Sequence, residues 1–179
     1  NPNPLGGAPV KRFHRKKLCE TAGDLSHSWN GSHAEWNNGA MDGFTTVNAN
    51  ANDPTGSRAM GFYTSRDLPF YYSLYRTFAM SDRHFCSLLG PTYPNRYYLL
   101  TGTSFGQIKN TIPNLGGSDY SQPTIFEQLD AAGVSWKLYY SDLPFAFLFG
   151  YVRAHAGTNL APIAQYFVDA AAGALPQVA

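Results

Sequence analysis

The fold is decided by the stretch Leu88-Leu-Gly-Pro-Thr-Tyr-Pro-Asn-Arg96, in which an apolar run meets a tight turn and then a helix signal. Residues 83–89 are predicted to form a buried strand, which the Gly-Pro pair ends. Thr92 stands where a helix cap belongs, and Gly102 suits the left-handed position after a helix. We therefore expect a strand, a turn and a helix that begins at Thr92.

Helix and strand signals alternate through the rest of the chain. They predict an aromatic helix over 69–80, a capping box at Thr124 and Glu127, a strand over 134–140 and an amphipathic helix over 160–172. The hydrophobic residues of 1–60 follow no sustained helix or strand periodicity, and we expect long functional loops with short strands there. The alternation favours an α/β class, with a mostly parallel sheet flanked by helices.

Composition excludes two classes of protein. The 179 residues are 44% hydrophobic, 15% aromatic and 14% charged, which is unlike a disordered chain. No apolar run reaches the roughly 20 residues that a membrane-spanning helix needs. With a net charge of +1, the chain has no global field that would indicate nucleic acid as a partner.

The basic residues are nevertheless concentrated near the start of the chain. Residues 1–17 contain no acid and five basic residues, Lys11, Arg12, Arg15, Lys16 and Lys17, whereas the remainder has a net charge of −4. Two interpretations stay open. The segment is either an arm that binds phosphate groups or a solvated strand or loop beside the body of the protein.

The two ends and the two cysteines leave further questions open. The chain starts at Asn1 without a methionine, and we expect it to be an internal piece of a longer protein. Cys19 and Cys86 permit either one disulfide or two free thiols.

The segment around Thr92 is also the first candidate site. A helix start carries unpaired backbone N–H groups and a partial positive charge, so it attracts phosphate, and a threonine hydroxyl would face that phosphate. Asn95 and Arg96 add side-chain donors at the same end. The alternatives are a plain threonine cap, an amide bonded within the turn and an ordinary salt bridge of the arginine.

A second candidate lies upstream, in residues 24–42. His27 and His33 are flanked there by the carboxylates of Asp24, Glu35 and Asp42, a set that suits metal binding or acid–base catalysis. The spacing matches no closed zinc pattern. A histidine–aromatic loop that packs on the body of the protein is the alternative.

Several long segments, in the same order, resemble the bacterial phosphoesterase family of phospholipases C and acid phosphatases. They are residues 24–44, which contain Asp24-Leu-Ser-His-Ser-Trp29, residues 67–72, residues 78–106, which contain Gly-Pro-Thr-Tyr-Pro-Asn-Arg, and Thr124-Ile-Phe-Glu-Gln-Leu-Asp-Ala-Ala-Gly-Val-Ser-Trp-Lys-Leu-Tyr139. The resemblance extends from about His14 to Pro176, which is nearly the whole chain.

The resemblance implies an alkaline-phosphatase-like α/β fold and the hydrolysis of phosphate esters. Thr92 occupies the position of the family's nucleophile, which forms a phospho-threonine, and it would also contact the metal. His27 matches the family's active-site histidine, while Asn95, Arg96 and His33 are candidate substrate-binding residues. The whole chain, 1–179, is then the central part of one phosphoesterase domain, with a loop-rich active-site segment over 1–60 and an α/β segment over 61–179.

The resemblance also carries expectations about cofactor, substrate and location. Phospholipase C-type cleavage of a phosphodiester is the leading expectation, with an acid phosphomonoesterase or a non-catalytic remnant as alternatives. Partners would be a phospholipid or another phosphate ester and a transient membrane-surface contact, with no nucleic acid. Location would be periplasmic or secreted.

One departure from the family pattern concerns the metal. The family's upstream Glu-Asn and Ser-Phe-Asp motifs and its downstream Asp- and His-containing segment are not in these 179 residues. A divalent metal ion is therefore expected in the complete protein only, with ligands besides Thr92 outside this chain. We expect the piece alone to be inactive.

Overall fold

A computed structural model of the chain describes residues 3–5, 8–19, 23–112, 120 and 122–179. The chain divides into two compact units, Asn1–Thr92 and Tyr93–Ala179, and each is described by itself. The prediction of one phosphoesterase domain over 1–179 stays a prediction.

The first unit consists of short elements joined by long loops. Its strands are β1 (Asn3–Leu5), β2 (Ala8–Val10), β3 (Phe13–His14) and β4 (Gly61–Phe62), and its helices are α1 (Trp29–Trp36), α2 (Phe44–Asn48) and α3 (Pro69–Thr77). Strands β1 and β2 pair antiparallel, and β3 pairs parallel with β4. Single 3-10 turns span Asn37–Gly39 and Ser57–Met60.

Buried polar residues lie inside this first unit. Asn3, Thr45, Asn48 and Arg58 are all under a tenth exposed. The Asn3 side chain accepts the N–H of Phe44 at 2.7 Å and so ties β1 to the start of α2. Because a buried polar group is costly without a partner, hydrogen bonds must carry much of this unit's specificity.

The second unit continues from α4 (Thr92–Thr101), whose first residue is the last of the first unit. The elements that follow are α5 (Ile125–Ala131), β5 (Leu138–Tyr140), a 3-10 turn (Phe145–Leu148), α6 (Gly150–Ala154), α7 (Ala156–Asn159), β6 (Leu160–Pro162) and α8 (Ile163–Ala171). Strands β5 and β6 pair parallel, with Tyr139 opposite Ala161.

The hydrophobic core lies in this second unit. It consists of Tyr97, Phe126, Trp136, Ala146, Phe149 and Val152, each less than a tenth exposed. The Tyr97 ring packs against the Phe145 and Phe149 rings, at centroid distances of 5.2 and 6.1 Å. Helix α4 is therefore fixed to this unit by the aromatic side chain one turn after its start.

Several predictions about local structure are confirmed. The helix over Thr92–Thr101 ends before Gly102, whose φ is 74°. Thr124 and Glu127 form the predicted capping box of α5. Helix α3 begins at Pro69, and α8 ends before Gly173. The class is mixed α/β, as predicted.

The predicted buried strand over 83–89 is wrong. These residues form no strand, and the Phe85 side chain is 80% exposed. An apolar run becomes a strand only where a neighbouring strand accepts its backbone hydrogen bonds, and no described strand pairs with it. For the same reason the described strands form three two-stranded sheets instead of one larger parallel sheet.

Two further differences concern which residues are helical. Residues 29–36 and 44–48, expected in loops, form helices. Helix α1 begins after Ser28, whose side chain caps it by accepting the Gly31 N–H. The last helix starts at Ile163, since residues 160–162 pair with β5 as a strand.

Neither cysteine is bridged: Cys19 and Cys86 are both free and exposed. In the part of the chain that the structure describes, no helix combines the length and the apolar character that crossing a membrane requires.

Candidate functional site

The segment just before α1 is held in place by two buried side chains. Asn48, at the end of α2, accepts the Ser26 N–H at 2.7 Å, and Arg58 donates to the Asp24 carbonyl at 3.2 Å. Arg58 also donates to the Asn48 carbonyl and pairs with Asp53 Oδ2 at 3.3 Å. Residues 24–26 are therefore fixed to the interior of the unit, while the His27 side chain that follows is 57% exposed.

The hydrogen bond of His27 defines its tautomer. Nδ1 lies 2.9 Å from the carbonyl oxygen of Leu25, and a carbonyl can only accept, so Nδ1 bears the hydrogen. Asp24 Oδ2 lies 3.5 Å from the same nitrogen. With the hydrogen on Nδ1, Nε2 is the ring nitrogen that carries the lone pair in the neutral imidazole.

His33 occupies a more closed position, on α1. Its Nδ1 donates to the Trp29 carbonyl at 2.8 Å, and its ring lies 4.2 Å from the Trp29 ring. The Trp36 ring contacts it edge-on at 6.3 Å. The half-buried His33 is thus packed between two tryptophans, and the Trp29 ring is the nearer of the two.

The carboxylates of the upstream segment do not gather into one site. Glu35 accepts from the Asn48 amide at 2.7 Å, and Asp42 accepts from the Asn37 amide at 2.8 Å. Within residues 3–5, 8–19, 23–112, 120 and 122–179, no three His, Cys, Asp or Glu side chains lie together in an arrangement that would hold a metal ion. These residues on their own do not fit a metal centre.

Thr92 is exposed at the start of α4, directly after the buried Pro91. The turn that leads to it approaches α1 closely: a Cβ added to Gly90 would lie 3.4 Å from Trp29 Cε3 and 3.7 Å from Trp29 Cα. Trp29 is two residues after His27, and Gly90 is two residues before Thr92. The structure thus brings together the two segments that the sequence singled out.

The start of α4 offers fewer free N–H groups than a typical helix N-terminus. The Tyr93 N–H donates to the Asn110 side chain at 2.9 Å, and Pro94 has no N–H. The expectation of an open anion site made by several unpaired N–H groups is therefore too simple. The hydroxyl of Thr92 itself becomes the more important feature of this helix start.

Asn95 and Arg96 follow Thr92 by three and four positions on the same helix, and residues at these spacings share a face. Asn95 is half-buried. Arg96 is exposed, and its guanidinium carbon lies 5.2 Å from the centre of the Phe145 ring. This cation–π contact directs the arginine without neutralising its charge.

Three residues that support the site have no signal in the sequence. Asn48 and Arg58 hold the segment before His27, and Asn110 bonds the second residue of α4. Each lies 10 or more positions away from its partner along the chain. A polar residue in a loop region gives no indication of which distant backbone group it will bond.

Comparison of the sequence with known proteins identifies the family of the chain. The profile of the Phosphoesterase family matches residues 8–179. The chain therefore belongs to the Phosphoesterase family, which confirms the resemblance drawn from the motifs.

Similar individual proteins include three bacterial phospholipases C. Phospholipase C B of Mycobacterium tuberculosis is 41% identical over 133 residues, covering 69% of this chain and 25% of that protein. A non-hemolytic phospholipase C of Burkholderia pseudomallei is 37% identical over 140 residues, 75% of this chain and 19% of that protein. A hemolytic phospholipase C of Pseudomonas aeruginosa is 33% identical over 126 residues, which cover 64% of this chain and 16% of that protein. The chain thus spans about a quarter of the length of the first of these relatives, and less of the other two.

Proposed function

We propose that this chain is the part of a phosphoesterase that carries the nucleophile, and that the protein cleaves phosphodiesters in the manner of a phospholipase C. The observation that carries the proposal is the approach of the Gly90 turn to Trp29, because it places the Thr92 and His27 segments next to each other. Family membership and the names of the relatives support the reaction class.

Thr92 is the proposed nucleophile. Its Oγ1 gives its proton to solvent and attacks phosphorus in line with the leaving oxygen, so the P–O bond to the leaving alcohol breaks as the phospho-threonine forms. Water then attacks phosphorus and gives a proton to solvent, the P–Oγ1 bond breaks, and the threonine oxygen is protonated again. Exposure of Thr92 and its place at the first residue of α4 support this role, since the helix dipole stabilises negative charge there.

His27 is the proposed acid for the leaving alcohol. With Nδ1–H bonded to the Leu25 carbonyl, Nε2 is the nitrogen that gives a proton to the departing oxygen. Asp24 Oδ2 lies 3.5 Å from Nδ1, beside the ring nitrogen that is not the proposed proton donor.

Asn95, Arg96 and His33 are the proposed substrate-binding residues. Arg96 keeps its positive charge beside Phe145 and suits a phosphate oxygen. Asn95, on the same helix face, adds an amide donor. His33 lies 4.2 Å from the Trp29 ring, and its proposed contribution to binding is to orient this part of α1.

We propose that the complete protein has an alkaline-phosphatase-like fold and that it binds a divalent metal ion. Thr92 Oγ1 would be one ligand. The described residues supply no cluster of acids and histidines to complete the site, so no step above passes through a metal. When bound, such an ion would supply positive charge at the attacking oxygen.

The proposed substrate is a phospholipid or a related phosphodiester, and the proposed location is periplasmic or secreted. The substrate rests on the names of the relatives, which are phospholipases C, and the location rests on the family resemblance.

The experiment compares Thr92→Ala with Thr92→Ser in the protein as its gene encodes it, whatever sequence flanks these residues. With the chromogenic diester bis(p-nitrophenyl) phosphate, we expect Thr92→Ala to lose about a thousandfold or more in turnover and Thr92→Ser to keep most of it. Thr101→Ala, at the other end of α4, is the matched control and should leave turnover unchanged. Substantial turnover by Thr92→Ala would overturn the nucleophile.

A second assay separates the alternatives. Faster hydrolysis of p-nitrophenyl phosphate than of the diester would make the protein a phosphomonoesterase. An inactive parent that binds substrate would indicate a non-catalytic remnant.

A further inference from the structure

The basic segment near the start of the chain is fixed against the first unit. Strand β3 pairs with β4, and the Arg15 N–H donates to the Phe62 carbonyl at 2.9 Å. Farther along, the Tyr63 hydroxyl donates to the Lys17 carbonyl at 2.7 Å. His14 Nε2 contacts Asp67 Oδ2 at 2.8 Å. Residues 11–18, here called the basic arm, are therefore held in a defined conformation and are not a free tail.

Four of the five basic side chains of the arm are exposed, whereas the Arg15 guanidinium packs inward and donates to the Arg58 carbonyl at 3.4 Å. Lys11, Arg12, Lys16 and Lys17 are exposed, and none of the four forms an ion pair with a residue that the structure describes. The nearby carboxylate of Asp67 is already engaged by Thr64 and His14, which lower its pKa to about 2. Among the described residues, no carboxylate therefore neutralises the charge of these four side chains.

Large apolar side chains are exposed among these cations. Phe13 is 41% exposed, Leu18 61% and Phe62 40%, and the Arg12 guanidinium carbon lies 5.7 Å from the Phe62 ring centre. Cations interleaved with exposed rings and a leucine are typical of surfaces that lie on a bilayer. There the ammonium and guanidinium groups meet lipid phosphates, and the apolar groups enter the boundary of the acyl chains.

We propose that the basic arm, with Phe62, is a docking surface for an anionic phospholipid bilayer. Charge complementarity selects this partner, because the arm carries five basic residues without an acid while the remainder of the chain is net negative. The choice of a phospholipid rests on the proposed function. The surface itself contains none of the proposed catalytic or substrate-binding residues.

The experiment is co-sedimentation of the chain with phosphatidylcholine vesicles, with and without phosphatidylserine. Each lysine that reaches an anionic surface strengthens adsorption about fivefold. The double substitution Lys16→Gln and Lys17→Gln should therefore weaken binding to the anionic vesicles by more than about tenfold. Parent binding should fall as salt is raised and should be much weaker to pure phosphatidylcholine.

A matched control separates a local surface from net charge. Lys109→Glu changes the net charge by the same amount at an exposed position of the second unit, and it should bind as the parent does. An equal loss in both variants would overturn the proposal. So would binding to a DNA duplex, but not to the vesicles, at the same salt.

The apolar part has its own test. Phe13→Ser should weaken adsorption also at high salt, with an unchanged circular-dichroism spectrum. A Phe13→Ser protein that is folded and binds as the parent does would remove the bilayer from the proposal. Measuring adsorption in the Thr92→Ala background keeps the two proposals apart, because adsorption needs no turnover and turnover of a soluble diester needs no adsorption.

Discussion

Asn48 Oδ1 accepts the backbone N–H of Ser26 at 2.7 Å, and this bond joins the end of α2 to the residue before His27. The same side chain donates to Glu35 Oε1 at 2.7 Å and to the Phe44 carbonyl at 2.8 Å. One amide that is 3% exposed thus connects α1, α2 and the histidine segment. It is the structural support on which the proposed acid depends.

Asn48→Ala tests this support. The change leaves the Ser26 N–H without its acceptor in a half-buried position, and each such loss costs about 1–3 kcal/mol. We expect the free energy of unfolding of the first unit to fall by about 2 kcal/mol, measured by urea denaturation. Turnover should fall as well, because residues 26–27 lose their attachment.

Asn52→Ala is the control for the change in residue type. Asn52 is exposed in a turn where its backbone N–H, bonded to the Asn50 side chain, makes the contact. Its replacement should change stability by less than about 0.5 kcal/mol. If both variants unfold at the same urea concentration as the parent, Asn48 is not a structural support.

Gly90→Ala tests the contact between the two site segments. The new Cβ would lie 2.7 Å from Leu88 Cδ2 and 3.4 Å from Trp29 Cε3. Leu88 can turn aside, so we expect a stability loss of only about 1 kcal/mol. Because a displacement of about 1 Å in a site can cost roughly a hundredfold in rate, kcat should fall much more than stability does.

The control for Gly90→Ala is Gly157→Ala in α7, where the added Cβ meets no atom within 4 Å. This substitution should leave stability equal or slightly higher, since alanine favours a helix. Equal kcat for Gly90→Ala and the parent, in an active protein, would show that the spacing of the two segments does not matter.

Local signals explain how much of the fold the sequence predicted. Capping and termination are set by residues within one turn, so the start of α5 at its Thr124 cap and the end of α4 before Gly102 are predictable. The sequence did not predict helix α1, because Asn30 and Gly31 within it are poor helix formers. Its Ser28 cap was the available signal.

Pairing over long distances explains what was not predictable. The strand expected over 83–89 has no described partner strand. A run of apolar residues does not indicate whether a neighbouring strand will pair with it. For the site, motif resemblance located His27 and Thr92, while Asn48 and Arg58 follow only from the folded contacts. Roles for Thr92 and His27 stay proposals that the Thr92 variants test.

Tyr97 provides a prediction for the second unit. Its ring is fully buried, and its hydroxyl donates to the Thr111 carbonyl at 2.9 Å. Burial raises the pKa of the Tyr97 hydroxyl above its usual value. Tyr97→Phe keeps the ring and leaves the carbonyl without this donor, so a loss of about 1 kcal/mol is expected, against about 3–5 kcal/mol for Tyr97→Ala.

Urea denaturation measures both Tyr97 variants, with Tyr98→Phe, at the half-buried next position, as the control. A Tyr97→Phe protein as unstable as Tyr97→Ala would mean that the hydrogen bond, and not the packing of the ring, holds α4 to the core.

Asp169, in α8, gives the chain a predictable response to acid. Its carboxylate accepts from the Tyr139 hydroxyl at 2.6 Å, the Gln165 amide at 2.7 Å and the Lys137 ammonium at 3.2 Å. These bonds, that of Tyr139 first, lower its pKa from 3.8 to about 2. Because the folded pKa is the lower one, the stabilisation is complete above pH 3.8 and is lost as the pH falls towards 2.

Asp169→Asn should therefore lower the stability of the second unit near neutral pH and flatten its decline between pH 4 and 2. Urea midpoints measured across that range report both effects, and Asp142→Asn, an exposed carboxylate just after β5, is the matched control. The first unit retains its own acid sensitivity, since the pKa of Asp67 is also about 2. A decline in the second unit that is equally steep with and without Asp169 would show that another carboxylate there controls acid unfolding.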